Sequence, residues 1–268
     1  MFDSGVGGLT VLHECLVSLP HENFLYLGDT ARFPYGSRSQ EELRSFAHEL
    51  GSILMEEGAK LVVVACNAAT SAALPSLRRE LDGRVPVVGV VGPESRLAVQ
   101  ATRSGRVGLI ATPATVASGV YERALTAVAP GVDLRAVASA DLAPLIQEGG
   151  EVDERTLASV EEACAPLKEA EVDVVILGCT HYPLVRPVLQ RELGRGVAII
   201  SSGEAIAADV EGALRREGIE QSDGRKGDYR FLATGDPDEF RELGTRFLQL
   251  PIGDVRHVDV RAPGRAAA

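Results

Sequence analysis

The chain has no tryptophan, and aromatic residues make up only 4% of its 268 residues. A stacking platform for nucleic-acid bases is therefore missing, and a formal net charge of −11 repels phosphate backbones, so no direct nucleic-acid partner is expected. Cysteine is scarce: Cys15, Cys66, Cys164 and Cys179 lie far apart, form no Cys-x-x-Cys pair, and sit in a chain too long to need a disulfide framework. They are expected to be reduced thiols. Only three lysines occur, Lys60, Lys168 and Lys226, and none is placed for a Schiff base: one precedes a strand, one ends a helix and one lies in a polar loop. No run of roughly 18 apolar residues is present, and no basic segment followed by an apolar one opens the chain. Neither a membrane span nor a secretion leader is expected, and a cytoplasmic location follows.

What is present is 45% hydrophobic content in a distinct order. Runs rich in Val, Ile and Leu alternate with amphipathic helical patterns, as in a parallel sheet covered by helices on both faces, so the fold class is α/β. The expected strands are Phe24–Gly28, Leu61–Ala65, Val87–Val91, Val107–Ala111, Leu134–Ala138, Val172–Leu177, Val197–Ser201 and Tyr229–Ala233. The clearest helix starts at Ser39, where Ser39 and Glu42 form a capping box; Leu43, Phe46, Ala47, Leu50, Ile53 and Leu54 make its buried stripe, and Gly58 stops it. A second start reads at Thr112-Pro113, an N-cap hydroxyl followed by proline, whose free N–H groups suit an anion.

Two segments rhyme across the chain. Leu61-Val-Val-Val-Ala-Cys66-Asn67 and Val174-Val-Ile-Leu-Gly-Cys179-Thr180 each run a buried strand into cysteine and a small polar residue, 113 residues apart. Ligands of open α/β sheets sit beyond the carboxyl ends of strands, so both thiols stand where a site would be. Two pseudo-symmetric lobes are expected to face each other across a cleft, each a mainly parallel sheet flanked by helices. One lobe would comprise residues 1–91 and the returning segment 204–260, the other residues 92–203. The Ala/Arg/Pro/Gly-rich tail, 261–268, is expected to be disordered.

Most buried cysteines are inert core residues. Cys15, flanked by Leu12 and Leu16, and Cys164, on a stripe with Leu157, Val160 and Leu167, fit that description. Cys66 and Cys179 differ, because polar residues follow them (Asn67; Thr180 and His181) where more core would be expected. Such neighbours can stabilise a thiolate and help move its proton. Zinc is a weaker reading, since Cys179, His181 and Cys66 lack ligand spacing and the other histidines fall beside no obvious loop ligands. Asp3-Ser4-Gly5, leading through Val6-Gly7-Gly8 into a helix near Leu9, reads equally well as a capped turn or as a carboxylate-binding turn with Asp3 in proton transfer. It lacks the glycine spacing of a dinucleotide fingerprint. Pro34-Tyr35-Gly36-Ser37 is by itself an ordinary loop.

Together, Phe2–Val11, Tyr26–Gly36, Ala65-Cys66-Asn67 and Leu177–Leu184 closely resemble the glutamate racemases, within the aspartate/glutamate racemase superfamily. The resemblance covers four ordered motifs over nearly the whole chain. It implies a two-lobed enzyme that interconverts L- and D-glutamate without cofactor or metal and supplies D-glutamate for peptidoglycan, hence for cell-wall biogenesis and cell shape. By that similarity Cys66 takes the α-proton of D-glutamate and Cys179 that of L-glutamate, with Asp3 assisting the first thiol and His181 the second. Ser4, Tyr35, Gly36, Asn67 and Thr180 become substrate contacts, with Asp3, His181, Thr112 and Thr115. A homodimer is implied, and a contact with DNA gyrase is known for some members. Two departures stand out. Ala68 replaces the threonine that usually follows Cys-Asn, removing a hydroxyl contact while keeping the backbone N–H. The family also carries several strand residues ahead of Phe-Asp-Ser-Gly, so either a shortened first strand or a longer native N-terminus that is missing here is expected. Alternatives are a racemase for aspartate or another amino acid, and a regulatory protein that has kept the fold.

Overall fold

The computed structural model describes residues 1–149, 152–222 and 224–260. In chain order the strands and helices are β1 (Phe2–Asp3), α1 (Leu9–Ser18), β2 (Phe24–Gly28), α2 (Gln40–Glu56), β3 (Val62–Val64), α3 (Asn67–Glu80), β4 (Val87–Gly89), α4 (Val91–Ala101), β5 (Arg106–Ala111), α5 (Pro113–Ala117), α6 (Val120–Val128) and β6 (Asp133–Ala138). There follow α7 (Leu142–Glu148), α8 (Glu154–Glu169), β7 (Val174–Gly178), α9 (Arg186–Leu193), β8 (Ala198–Ile200), α10 (Ser202–Glu217), β9 (Tyr229–Ala233), α11 (Pro237–Leu248) and β10 (Val255–His257).

Among the described residues the strands form two sheets, one of six in the order β10-β9-β2-β1-β3-β4 and one of four in the order β6-β5-β7-β8, with every pairing parallel. The chain crosses from the first sheet to the second after β4, through α4, and returns after β8 through α10. The α/β class and the two helix-flanked parallel sheets agree with the sequence. The proposed tail at 261–268 lies outside the described residues.

Alternation along the strands explains why the sheets are buried on both faces. Val62 and Val64 pack with Leu43, Phe46 and Leu50 of α2, whereas Val63 between them joins Leu9, Leu12 and Tyr26 on the opposite side. In the second sheet Val107, Leu109, Val174 and Ile176 face Tyr121 and Leu125 of α6, while Ile110, Val175 and Leu177 face Val160 and Leu167 of α8. This period of two gives each strand two apolar faces, which reads in sequence as an unbroken apolar run.

Most strand boundaries differ from expectation by a residue or two. Val91 is the exception in kind, since it opens α4 and does not end β4. One strand was not anticipated: β10, three residues at the sheet edge. β1, the shortened first strand that the resemblance implied, is two residues in the centre of the sheet, too short to produce any alternation of its own. β1 is fixed by its neighbours: the Ala65 N–H donates to the Phe2 carbonyl (2.9 Å) and the Asp29 N–H to the Asp3 carbonyl (3.0 Å). The capping box at Ser39 is formed on both sides, with the Glu42 N–H donating to Ser39 Oγ and the Ser39 N–H to the Glu42 carboxylate, and Gly58 adopts φ +83° one residue beyond the Glu57 C-cap. Thr112 occupies the N-cap of α5 but caps no backbone N–H; its hydroxyl meets that of Thr115 at 3.1 Å.

Candidate active site

Parallel strands point their carboxyl ends one way, and in each sheet those ends carry the polar residues. β1 ends in Asp3, β3 leads into Cys66, β5 into Thr112 and β7 into Cys179. The two sheets present these ends to one cavity. Ser4, Tyr35, Gly36, Cys66, Asn67 and Ala68 line it from the first sheet's side; Thr112, Cys179, Thr180 and His181 line it from the second. Asp3 and Thr115, both buried, stand outside the lining. Phe33, Pro34, Ala143 and Pro144 also line it and were not anticipated.

Cys66 is the N-cap of α3, and its Sγ accepts from the Ala69 N–H at 3.5 Å. Burial pushes this thiol up to about 12, with the nearby Asp3 carboxylate adding to the rise. The helix start opposes that rise, since its unpaired N–H groups favour negative charge on sulfur. Cys179 is raised further by burial. Its Sγ lies 3.9 Å from Nδ1 of His181. Nε2 of that ring meets Oε1 of Gln147 at 2.9 Å. With Nε2 donating to Gln147, Nδ1 is left as an acceptor facing the Cys179 thiol. Burial, reinforced by the Arg246 charge, lowers His181 to about 3, so the ring is neutral at physiological pH. Phe33 and Phe247 flank it at ring-centroid distances of 5.4 and 5.2 Å.

The Asp3 carboxylate is held both within its own turn and across the site. The Gly5 N–H donates to its Oδ2 (3.1 Å) and the Thr180 hydroxyl donates to Oδ1 (3.3 Å), which joins the two sheets across the site. Burial outweighs these donors and raises the carboxyl to about 6. The helix cap itself is Gly8, with no side-chain contribution. Close packing requires glycine at Gly7, where a Cβ would fall 2.4 Å from the His181 ring and 2.5 Å from Thr180 Oγ1.

The Tyr35 hydroxyl donates to Asp29, which also accepts from Arg32 Nε (2.6 Å) and the Thr234 hydroxyl (2.7 Å). Tyr35 therefore offers the cavity its ring and backbone. The loop holding Tyr35 and Gly36 is tied across the cleft by the Ala114 N–H donating to the Gly36 carbonyl (2.9 Å). Deeper still, Glu94 and Tyr121 are fully enclosed behind Asn67. Neither they nor Gln147 stand out in the sequence, because each gains meaning only from a partner 27 to 54 residues away.

Cys15 and Cys164 lie in the hydrophobic core, as expected, and all four cysteines are free. Among the described residues no group of three or more His, Cys, Asp or Glu is arranged to hold a metal ion, and no helix is long and apolar enough to cross a membrane.

Two parallel sheets with opposed strand-end cysteines define a racemase-type α/β enzyme, and residues 11–210 match the Asp/Glu/Hydantoin racemase family. The chain belongs to that family and is an amino-acid racemase. It is similar to the glutamate racemase of a Parafrankia species, 45% identical over 269 residues spanning 100% of this chain and 96% of the relative. The crystal structure of the glutamate racemase isoform RacE1 from Bacillus anthracis superposes with a TM-score of 0.92 at 38% identity, covering 97% of this chain and 96% of that one. Glutamate racemase from Francisella tularensis in complex with D-glutamate matches with a TM-score of 0.88 at 28% identity, covering 96% of each chain.

Proposed function

We propose that this protein interconverts L- and D-glutamate by a two-base reaction in which Cys66 and Cys179 exchange roles, and that its D-glutamate serves peptidoglycan synthesis. The observation that carries the reading is the entry of both strand-end thiols into one cavity from opposite sheets. The similarity to racemases named for glutamate, one of them holding D-glutamate, supports the substrate.

The α-hydrogen of an amino acid is weakly acidic, so racemisation needs a base on one face, a donor on the other and stabilisation of carbanionic charge. One thiolate takes the α-proton as the opposite thiol delivers its own to the other face. Cα is inverted, no net proton is consumed, and the enzyme is left with thiol and thiolate exchanged. Cys66 removes the proton of D-glutamate and Cys179 that of L-glutamate. Asp3, raised to about 6, is poised to exchange a proton on the Cys66 side, and the free Nδ1 of His181 to accept one from Cys179. A substrate ammonium entering the buried space favours the thiolate form. The first N–H groups of α3, those of Asn67 and Ala68, lack intrahelical partners and suit a carboxylate, so replacement of the usual threonine by Ala68 leaves the main-chain contact in place.

Circular-dichroism polarimetry of L-glutamate with purified protein and no added cofactor tests this. The signal is expected to decay to zero, and in deuterated water the product is expected to carry solvent deuterium at Cα. A flat trace from folded protein overturns the reading. A panel of L- and D-amino acids separates glutamate from aspartate as substrate.

A further inference from the structure

Behind the cavity wall lies a polar cluster that the proton transfer does not use. Glu94, in the first turn of α4, is fully buried. Its carboxylate accepts from Asn67 Nδ2 (3.2 Å to Oε2, 3.4 Å to Oε1), from the Tyr121 hydroxyl and from the Ser202 hydroxyl. These donors come from α3, α6 and the start of α10, so the cluster stands where both crossings between the sheets meet. Asn67 Nδ2 is also 2.7 Å from the Tyr121 oxygen. Both hydrogens of the amide are thus directed away, and Oδ1, although buried, has no partner among the described residues.

A carboxamide has two nearly isosteric orientations, and its neighbours decide between them. Burial raises the Glu94 carboxyl to about 7; above that pH it is ionised and can only accept, so it demands the amide nitrogen. Tyr121 donates to Glu94 and uses a lone pair for the second amide hydrogen. The remaining atom, Oδ1, belongs to a side chain that lines the cavity beside Cys66. Leaving a buried carbonyl unpaired is costly, and a donor on the ligand relieves that cost. Both substrate carboxylates are acceptors; the α-ammonium is the only donor on glutamate.

We infer that Glu94 is a positioning residue for substrate recognition: it locks the Asn67 carboxamide so that Oδ1 accepts a hydrogen bond from the substrate α-ammonium. The inference rests on the proposed amino-acid substrate. Glu94→Gln retains the shape of the side chain but presents an NH2 group, which allows Asn67 to turn its oxygen inward and its own NH2 toward the cavity.

The test measures binding of D-glutamate and of glutarate, the same dicarboxylate without the amine, at pH 8.5 by wild type, Glu94→Gln and Tyr121→Phe. In Glu94→Gln the Kd and KM for glutamate are expected to rise about tenfold or more, the scale of one lost charge-assisted hydrogen bond, while glutarate binding changes less than about twofold. Glu94→Asp, which keeps an acceptor, is expected to hold glutamate better than Glu94→Gln despite its shorter reach. Tyr121→Phe leaves one amide hydrogen unpaired and shifts the glutamate-to-glutarate ratio in the same direction by a smaller factor. Equal losses for both ligands, or an unchanged ratio in both Glu94→Gln and Tyr121→Phe, overturn the inference while wild-type racemisation keeps the functional reading intact. Wild-type protein that binds glutarate but neither binds nor racemises glutamate overturns both.

Discussion

All four cysteines are buried, and burial raises the thiol pKa at each, so reactivity is not announced by an already low value. What separates them is access to a cavity and to a proton partner. Cys66→Ser and Cys179→Ser are each expected to abolish racemisation with the circular-dichroism spectrum of the fold unchanged, whereas Cys15→Ala is expected to retain turnover and lose about 1–2 kcal/mol of stability by urea titration. Near-normal turnover in either of the first two variants removes the two-base scheme. Gly7→Ala forces His181 and Thr180 aside; a shift of the order of 1 Å at reacting groups costs about a hundredfold in kcat, which steady-state polarimetry will detect. His181 also imposes a pH dependence on stability. Its folded value near 3 lies below the unfolded value, so between about pH 6.5 and 3 the unfolded chain binds a proton that the folded protein does not. That proton lowers stability by about 1.4 kcal/mol per pH unit on acidification. Asp3, raised to about 6, acts with the opposite sign between about pH 4 and 6, because there the folded state is the one that holds the extra proton. In His181→Gln the first effect disappears, so urea unfolding between pH 6 and 4 is expected to show the variant gaining on wild type as pH falls.

At the scale of elements, the site depends on where strands stop and helices begin. β3 and β7 stop at Val64 and Gly178, and the next turns carry Cys66 and Cys179. Gly178 permits this at β7, where a Cβ would meet Ala111 Cβ at 2.8 Å in the neighbouring strand. Helix α2 acts at a distance: its buried stripe covers one face of the first sheet, and Gln40 in its first turn donates to the Ala114 carbonyl at 2.9 Å. Ser39→Ala removes the side-chain half of the capping box, leaving the backbone N–H bond to Glu42, and is expected to cost about 1 kcal/mol in urea unfolding while leaving kcat unchanged, since the cap lies outside the cavity. A comparable fall in kcat would mean that α2 also positions the Tyr35-Gly36 loop.

The whole molecule is held as two sheets with a hydrophobic core running from one to the other: Leu12 and Tyr26 on the first belong to the same cluster as Ile110 and Leu177 on the second. Polar contacts across the site include Thr180 to Asp3, the Ala114 N–H to the Gly36 carbonyl, and the Thr10 hydroxyl to the Thr180 carbonyl at 3.0 Å. A ligand touching both walls stabilises the folded state by mass action, about 2.7 kcal/mol at a hundred times its Kd. D-Glutamate is therefore expected to raise the melting temperature by a few degrees in both wild type and Cys179→Ser, as read by differential scanning fluorimetry, even though the variant is inactive. No shift in either protein would argue against glutamate as the ligand.

The amino-acid sequence by itself determined the class of fold, the helix start at Ser39 and the positions of Cys66 and Cys179, because each is a local matter. An apolar run specifies a buried strand, a capping pair specifies a helix start, and a polar residue just past such a run must leave the core. The tertiary structure alone decided which distant groups meet: Asp3 with Thr180, His181 with Gln147, Asn67 with Glu94 and Tyr121. It also made a central strand of Phe2–Asp3, two residues with no pattern of their own, through hydrogen bonds supplied by β2 and β3. Protonation state and amide orientation depend on burial and on partners tens of residues away, and no spacing along the chain encodes either.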